Sequence, residues 1–268
     1  MPMLRRVLLL GLVSLFAMAA PATAQRYDDR YGGRQQSSAP GDFDYYVLVL
    51  SWSPTYCAGL DSADRDPHQC SRRDGRRYAF VLHGLWPQYE RGYPEFCRTR
   101  RRPYVPQPLI DGMLDIMPSP KLVIHEYRKH GTCSGLDPQS YYDLARRLYR
   151  TINIPERYIN PFEAQFVSPG DLADEFLSAN PHLKPDRIAV SCGGAGNRLR
   201  EVRICFTRDG QVRGCGHNEN PGRLCRADRM YVPPVRSSTA PDRQDDRDSG
   251  AGAAPPPRPR VIPSPREY

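Results

Sequence analysis

Hydrophobic and polar positions change period several times along this chain, and the changes mark out its elements. "FDYYVLVLSW" (43–52) is aromatic and β-branched on both alternating faces, which predicts a strand covered on both sides and so central in a sheet. "RYAFVLHGLW" (77–86) predicts a second strand of that kind, with His83 near its end and Gly84 marking a turn or a close backbone approach. In "YYDLARRLYRTI" (141–152) the period lengthens, and Tyr142, Ala145, Tyr149 and Ile152 recur at helical spacing. "SPGDLADEFLSA" (168–179) opens another helix, with Ser168 as N-cap, Pro169 first in the helix and Asp171 completing a capping-box pattern. "LREVRICF" (199–206) returns to alternation, setting Val202, Ile204 and Phe206 against polar neighbours, and "TRDGQV" supplies an Asp-Gly turn. Cys205 and Cys215 lie symmetrically about Gly210, so a disulfide closing this hairpin is the natural pairing. Helices and strands run in blocks without internal repeats. The expected fold is therefore α+β, with an antiparallel β-sheet core and helices packed on one side.

The two ends break the pattern. "MPMLRRVLLLGLVSLFAMAAPATAQ" has two arginines, an apolar run from Val7 to Ala20 and small residues before Gln25, the layout of a signal peptide over 1–24. No later segment reaches the roughly 20 apolar residues a membrane span needs, so the expected product is exported, with no membrane association after cleavage. Residues 25–41 are polar with Gly, Ser and Pro and read as a flexible lead-in. From 235 to 268 charge mixes with Pro and small residues, a composition that cannot bury enough apolar surface to order itself. Residues 42–234 are left as a single domain.

All eight cysteines fall inside that domain, at 57, 70, 97, 133, 192, 205, 215 and 225. An even count behind a signal peptide implies an oxidising compartment and structural disulfides; no Cys-x-x-Cys pair offers a zinc site. The formal net charge of +8 suits a polyanionic partner, although the basic residues are almost all arginine, a bias that dilutes the signal. Against that background Lys129 stands out.

Lys129 sits in "HEYRKHGTC" (125–133), where a metal, a proton relay or a solvated helix face are the competing readings. A helical zinc motif needs histidines four apart. His125 and His130 are five apart, roughly 140° from each other on an ideal helix. His125 with Lys129, and Glu126 with His130, are each four apart and can lie side by side, and Gly131 offers a place for the helix to stop. "HGLWPQY" (83–89) adds a second histidine on a separate element, followed by Trp86. Two imidazoles, a carboxylate and a cation form the set for general acid–base cleavage of a phosphodiester, since histidine offers both protonation states near neutral pH.

"FDYYVLVLSWSPTYC", "HGLWPQY" and "HEYRKHGTCSG" together closely resemble the ribonuclease T2 family over about 43–232. The resemblance implies a disulfide-stabilised fold of that family and a metal-independent endoribonuclease, needing no cofactor, that acts on single-stranded RNA as a monomer. It implies His83 and His130 as the acid–base pair, Glu126 as the residue that orients or tunes His130, and His125 and Lys129 as phosphate ligands. Trp86 would stack on a base. The products would carry 2′,3′-cyclic phosphates, and DNA, lacking the 2′-OH nucleophile, would bind uncut. Cys97–Cys133, Cys192–Cys225 and Cys205–Cys215 follow by analogy, leaving Cys57–Cys70.

Two positions depart from the pattern. Tyr127 stands where the family more often has Trp, and Gln88 where some relatives with a base preference carry an acidic residue, which points to low base specificity. The absence of any Asn-x-Ser/Thr sequon favours a bacterial periplasm or exterior. The rival readings are a catalytically inactive secreted RNA-binding protein on the same scaffold and a metal-dependent nuclease or phosphatase, which a chelator would separate.

Overall fold

A computed structural model of the chain describes residues 39–235. The expected signal peptide, most of the lead-in and most of the tail lie outside the described residues. At both edges the fold reaches slightly further than the composition shift implies. Gly41 donates its N–H to the Cys133 carbonyl, and Val235, 7% exposed, donates to Pro161.

The elements run β1 (Tyr45–Trp52), α1 (Ser53–Ala58), β2 (Phe80–Gln88), α2 (Gln107–Met113) and α3 (Pro120–Glu126). A π-helical turn (Tyr127–Gly131) joins α3 to α4 (Thr132–Ser134), and α5 (Pro138–Arg150) and β3 (Gln165–Val167) follow. Then come α6 (Pro169–Ala179), β4 (Ile188–Gly193), β5 (Arg198–Phe206), α7 (Pro221–Leu224) and β6 (Met230–Val232). The α+β expectation holds, with one adjustment. The sheet order is β2-β1-β5-β6-β3 with β4 also on β5, and β5 and β6 are joined by a single parallel pairing, so the sheet is mixed.

β1 is central, between β2 and β5, and buried on both faces as its two-sided apolar pattern requires. Tyr46, Leu48, Leu50 and Trp52 face the main core, where they meet Ile110, Val123, Tyr142, Leu148 and Phe176 from the helices. Tyr45, Val47 and Val49 face the opposite side and form a smaller cluster with Cys205, against which Trp86 and Cys215 pack. β2, equally apolar, is an edge strand. Its free edge is covered instead by the α2–α3 connection, with the Leu82 N–H donating to the Ile116 carbonyl at 2.9 Å.

Local chemistry accounts for the helix starts. Ser119 caps α3, Asp137 caps α5 and Ser168 caps α6, each accepting from a backbone N–H one turn on and each followed by proline at the first position. All four disulfides have the expected pairings: Cys57–Cys70, Cys97–Cys133, Cys192–Cys225 and Cys205–Cys215. Gly210 takes φ +88° in the Asp-Gly turn that brings Cys205 and Cys215 together.

Candidate active site

His83 is the extra residue of a bulge in β2. Val49 pairs with Gly84 and Leu50 with Leu82, so His83 has no cross-strand partner and its side chain is released from strict alternation. Rather than ending a strand, as the sequence pattern implied, it interrupts one. Gly84 then permits the close approach anticipated for it. A Cβ there would overlap Glu126 Oε2 and lie 2.7 Å from Trp86 Nε1, so only glycine leaves room for that carboxylate.

The second segment also departs from an ideal helix. After Glu126 the chain widens into the π turn, and Gly131 passes through it to α4, which ends at Gly135 with φ +77°. The helix therefore does not stop at Gly131. What Gly131 provides is space: a Cβ there would overlap the edge of the Tyr127 ring. Widening changes which side chains share a face. Glu126 and His130 are not hydrogen-bonded to each other, contrary to the four-residue reading. Glu126 Oε2 instead accepts from Trp86 Nε1 at 2.7 Å, and Oε1 lies 3.5 Å from His83 Nε2. His130 stacks on the Trp86 ring with centroids 5.0 Å apart, and the His83 ring stands edge-on to the same indole at 5.2 Å. Trp86 is thus the wall that holds both histidines and the carboxylate, and the guanidinium of Arg203 lies 5.1 Å from its ring centre.

Two residues here were missed from sequence. Glu201 and Arg203 were the "polar neighbours" of β5. Glu201 Oε1 lies 3.1 Å from His83 Nδ1, while Arg203 donates to Glu201 Oε2 at 2.8 and 3.0 Å. Arg203 also lies 3.8 Å from Glu219, whose other oxygen accepts from the Tyr45 hydroxyl. The signal was present: two charges alternate along a strand whose neighbour β1 is apolar on both faces, so they had to be partnered under cover.

The two imidazoles sit in opposite fields. Burial disfavours charge on His83, but the hydrogen bond to Glu201 and the charges of Glu126 and Glu201 outweigh it and raise its pKa. Burial and the neighbouring Lys129, His83 and His125 all push His130 well below the usual histidine range, and its buried Nδ1 has no hydrogen-bond partner. Burial would raise Glu201, yet its bonds with His83 and Arg203 hold it at about 2, whereas burial keeps Glu126 above the usual carboxylate range. His125 is lowered by partial burial, Lys129 and His83, and Lys129 Nζ lies 3.6 Å from Glu95. All six expected residues, His83, Trp86, His125, Glu126, Lys129 and His130, therefore belong to two adjoining segments. Among the described residues no group of three or more His, Cys, Asp or Glu could hold a metal ion.

The structure is therefore a sheet-based α+β domain tied by four disulfides, with two histidines in opposite electrostatic settings about one tryptophan. A sequence model of the Ribonuclease T2 family matches residues 43–215, and the chain belongs to that family. It is 40% identical over 177 residues to a ribonuclease of Aeromonas hydrophila, covering 66% of this chain and 77% of that one. It is 30% identical over 192 residues to a probable ribonuclease of Haemophilus influenzae, covering 68% and 63%. Among solved structures the fold is similar to that of RNase NT in complex with 5′-AMP, with TM-score 0.54 and 23% identity over 72% of this chain and 99% of that one. As a member of the family the chain is an RNA endonuclease.

Proposed function

We propose that this endonuclease cleaves single-stranded RNA by metal-independent transesterification, with His130 as base and His83 as acid. The observation that carries the assignment is the contrast in setting. His83 lies between two carboxylates that favour its cation, and His130 lies among cations with no carboxylate bonded to it. Neutral His130 takes the proton from the ribose 2′-OH as O2′ bonds to phosphorus. Cationic His83 then gives its proton to O5′ as the P–O5′ bond breaks, leaving a 2′,3′-cyclic phosphate and a free 5′-hydroxyl. Lys129 and His125 bind the non-bridging oxygens and offset the growing charge, which requires phosphate to displace Glu95 from Lys129. Glu126 acts on His83, not on His130, and Trp86 fixes the geometry of all three.

Low base specificity is part of the same reading. Gln88 is 3% exposed and its side-chain oxygen accepts from Asn218 at 2.8 Å, so it is not free to read a base edge. Four disulfides fit an oxidising compartment, and with the expected leader they support a periplasmic or secreted enzyme. Among the described residues no helix is long and apolar enough to cross a membrane.

The test is digestion of a mixed-sequence RNA in EDTA, with termini identified by mass spectrometry, beside His130→Ala. Cyclic phosphate ends from the wild type alone support the mechanism. Intact RNA with folded, fully oxidised wild type would favour an inactive RNA-binding scaffold, and cleavage abolished by EDTA would favour a metal enzyme.

A further inference from the structure

The segment between β2 and α2 is not used by the mechanism, yet it is fastened to the catalytic turn. The Phe96 N–H donates to the Lys129 carbonyl at 2.8 Å, and Cys97 is bonded to Cys133 one turn further on. Between these two ties Phe96 takes φ +49°, in the left-handed region that a bulky side chain avoids. The strained backbone is held from both sides, and its effect is to place a phenyl ring in solvent, 55% exposed, rather than in either core. That ring stands edge-on to His125, with centroids 6.3 Å apart. An aromatic face fixed in water beside a phosphate-binding histidine is the arrangement on which a base of a single strand stacks.

Directly after Cys97 the chain reads "RTRRR" (98–102). Arg98, Arg100, Arg101 and Arg102 are all exposed, and among the described residues none of them faces a carboxylate. Arg72, Arg146, Arg157, Arg203 and Arg213 all do. Exposed guanidinium groups without counter-charges, leading away from a stacking ring, complement a phosphate backbone continuing past the scissile bond.

We propose that Phe96 and Arg98–Arg102 form an RNA subsite outside the catalytic centre: Phe96 stacks on a base beyond the two nucleotides that share the scissile phosphate, and the arginines track the phosphates past it. The proposal rests on the reading of the site as an RNA-cutting centre, and makes the enzyme prefer longer single strands over dinucleotides.

The experiment compares a dinucleoside phosphate with an octamer of the same central step, using wild type, Phe96→Ala, Phe96→Tyr and a variant with all four arginines changed to glutamine. Phe96→Ala should lose about 5- to 150-fold in kcat/KM on the octamer, mainly through KM, the worth of one stacked base. It should leave the dinucleotide rate unchanged, and Phe96→Tyr, which keeps a ring, should restore the octamer rate. The arginine variant should flatten the dependence of log kcat/KM on log salt by about 3, from roughly 0.7 for each single-strand phosphate no longer neutralised. Equal losses on both substrates, or an unchanged salt slope, would overturn the proposal. Anisotropy with a non-cleavable 2′-deoxy octamer reads the subsite apart from chemistry. An inert wild type that still binds more tightly than both variants would remove the cleavage mechanism while upholding the subsite. Unchanged octamer binding, with lost binding to phosphatidylglycerol vesicles, would assign the arginines to a lipid surface and also overturn it.

Discussion

Replacing Glu201 by glutamine removes a charge while keeping an acceptor in the same place. The carboxylate takes His83 Nδ1 on one oxygen at 3.1 Å and Arg203 on the other at 2.8 and 3.0 Å, so an amide oxygen turned to His83 keeps the imidazole N–H bond while its NH2 group gives up the pairing with Arg203. The loss is the difference between a charge-assisted and a neutral hydrogen bond, about 1–1.5 kcal/mol, or about one pKa unit on His83. The sign follows from the role. In the proposed mechanism His83 is the acid, so activity should fall as pH rises through its pKa, and that pKa is raised in the wild type. Glu201→Gln should therefore move the alkaline limb of kcat/KM down by about one pH unit and leave the acidic side, governed by His130, where it was. Glu201→Ala also removes the acceptor, leaving an imidazole N–H unpaired and its ring unanchored, and should cost about 5- to 150-fold at every pH, from 1–3 kcal/mol. The assay is a pH series of single-substrate kinetics with melting curves as a control for folding. A folded Glu201→Gln protein whose alkaline limb coincides with the wild type's would refute the assignment of His83 as the acid steadied by Glu201.

Other substitutions test separate parts of the structure. Gly84→Ala drives a methyl group into Glu126 Oε2, and should displace that carboxylate and lower kcat strongly, with a smaller loss of melting temperature because the main core lies on the other face. Trp86→Phe removes the donor at 2.7 Å and leaves a buried carboxylate short of a partner. By the worth of a hydrogen bond to a charged group it should lose about 10- to 150-fold in kcat/KM, and titration of Glu126 by carboxyl-labelled NMR should show its pKa driven still higher. Glu95→Gln frees Lys129 from its 3.6 Å pairing and should tighten binding of inorganic phosphate as a competitive inhibitor; equal inhibition constants would remove Lys129 from the phosphate site. Replacing Cys97 and Cys133 by serine opens a link between residues 36 apart. Loop-closure entropy puts the loss at about 4 kcal/mol, or roughly 8–16 °C in Tm for a domain of this size.

Legibility from sequence followed the range of the interactions. β1, α5, α6 and the Asp-Gly turn could be read because period, caps and turn residues lie within a few positions of what they specify. The six candidate site residues, three catalytic and three for binding, could be read because they fall in two short segments. The bulge at His83 could not, because a single displaced residue in β2 is visible only against its partner strand, where Val49 meets Gly84 and Leu50 meets Leu82. The π turn was hidden for a related reason. "HEYRKHG" carries no mark of its wider winding except Gly131, and the Tyr127 ring that fills the space beside that glycine is held from outside the turn, by Tyr141, Tyr142 and the Leu136 carbonyl. That one turn redirected Glu126 from His130 to His83. Glu201 escaped because it lies 118 residues from the histidine it serves. Its strand was read correctly for the apolar face, and the functional pair lay on the other.

Charge balance then explains why an RNA-cutting site would keep two carboxylates about one histidine. Glu126, Glu201, cationic His83 and Arg203 together sum to zero, and Glu201 is tied down as the permanent anion by two hydrogen-bonding partners. When, in the proposed mechanism, His83 gives up its proton, the group becomes net negative. The strain of that change falls on Glu126, the buried carboxylate whose pKa is already raised and which lies 3.5 Å from the nitrogen that has just lost its proton. Both carboxylates therefore favour return of a proton to His83 after the leaving oxygen has taken one, so the acid is recharged from solvent for the next cycle. In the same mechanism His130, with no such partner, sheds the proton it acquires, because burial, Lys129, a recharged His83 and His125 all disfavour its charge. The asymmetry that assigns acid and base in one turnover also resets both groups, and it depends on β5, the strand that carries Glu201 and Arg203 beneath the catalytic segments.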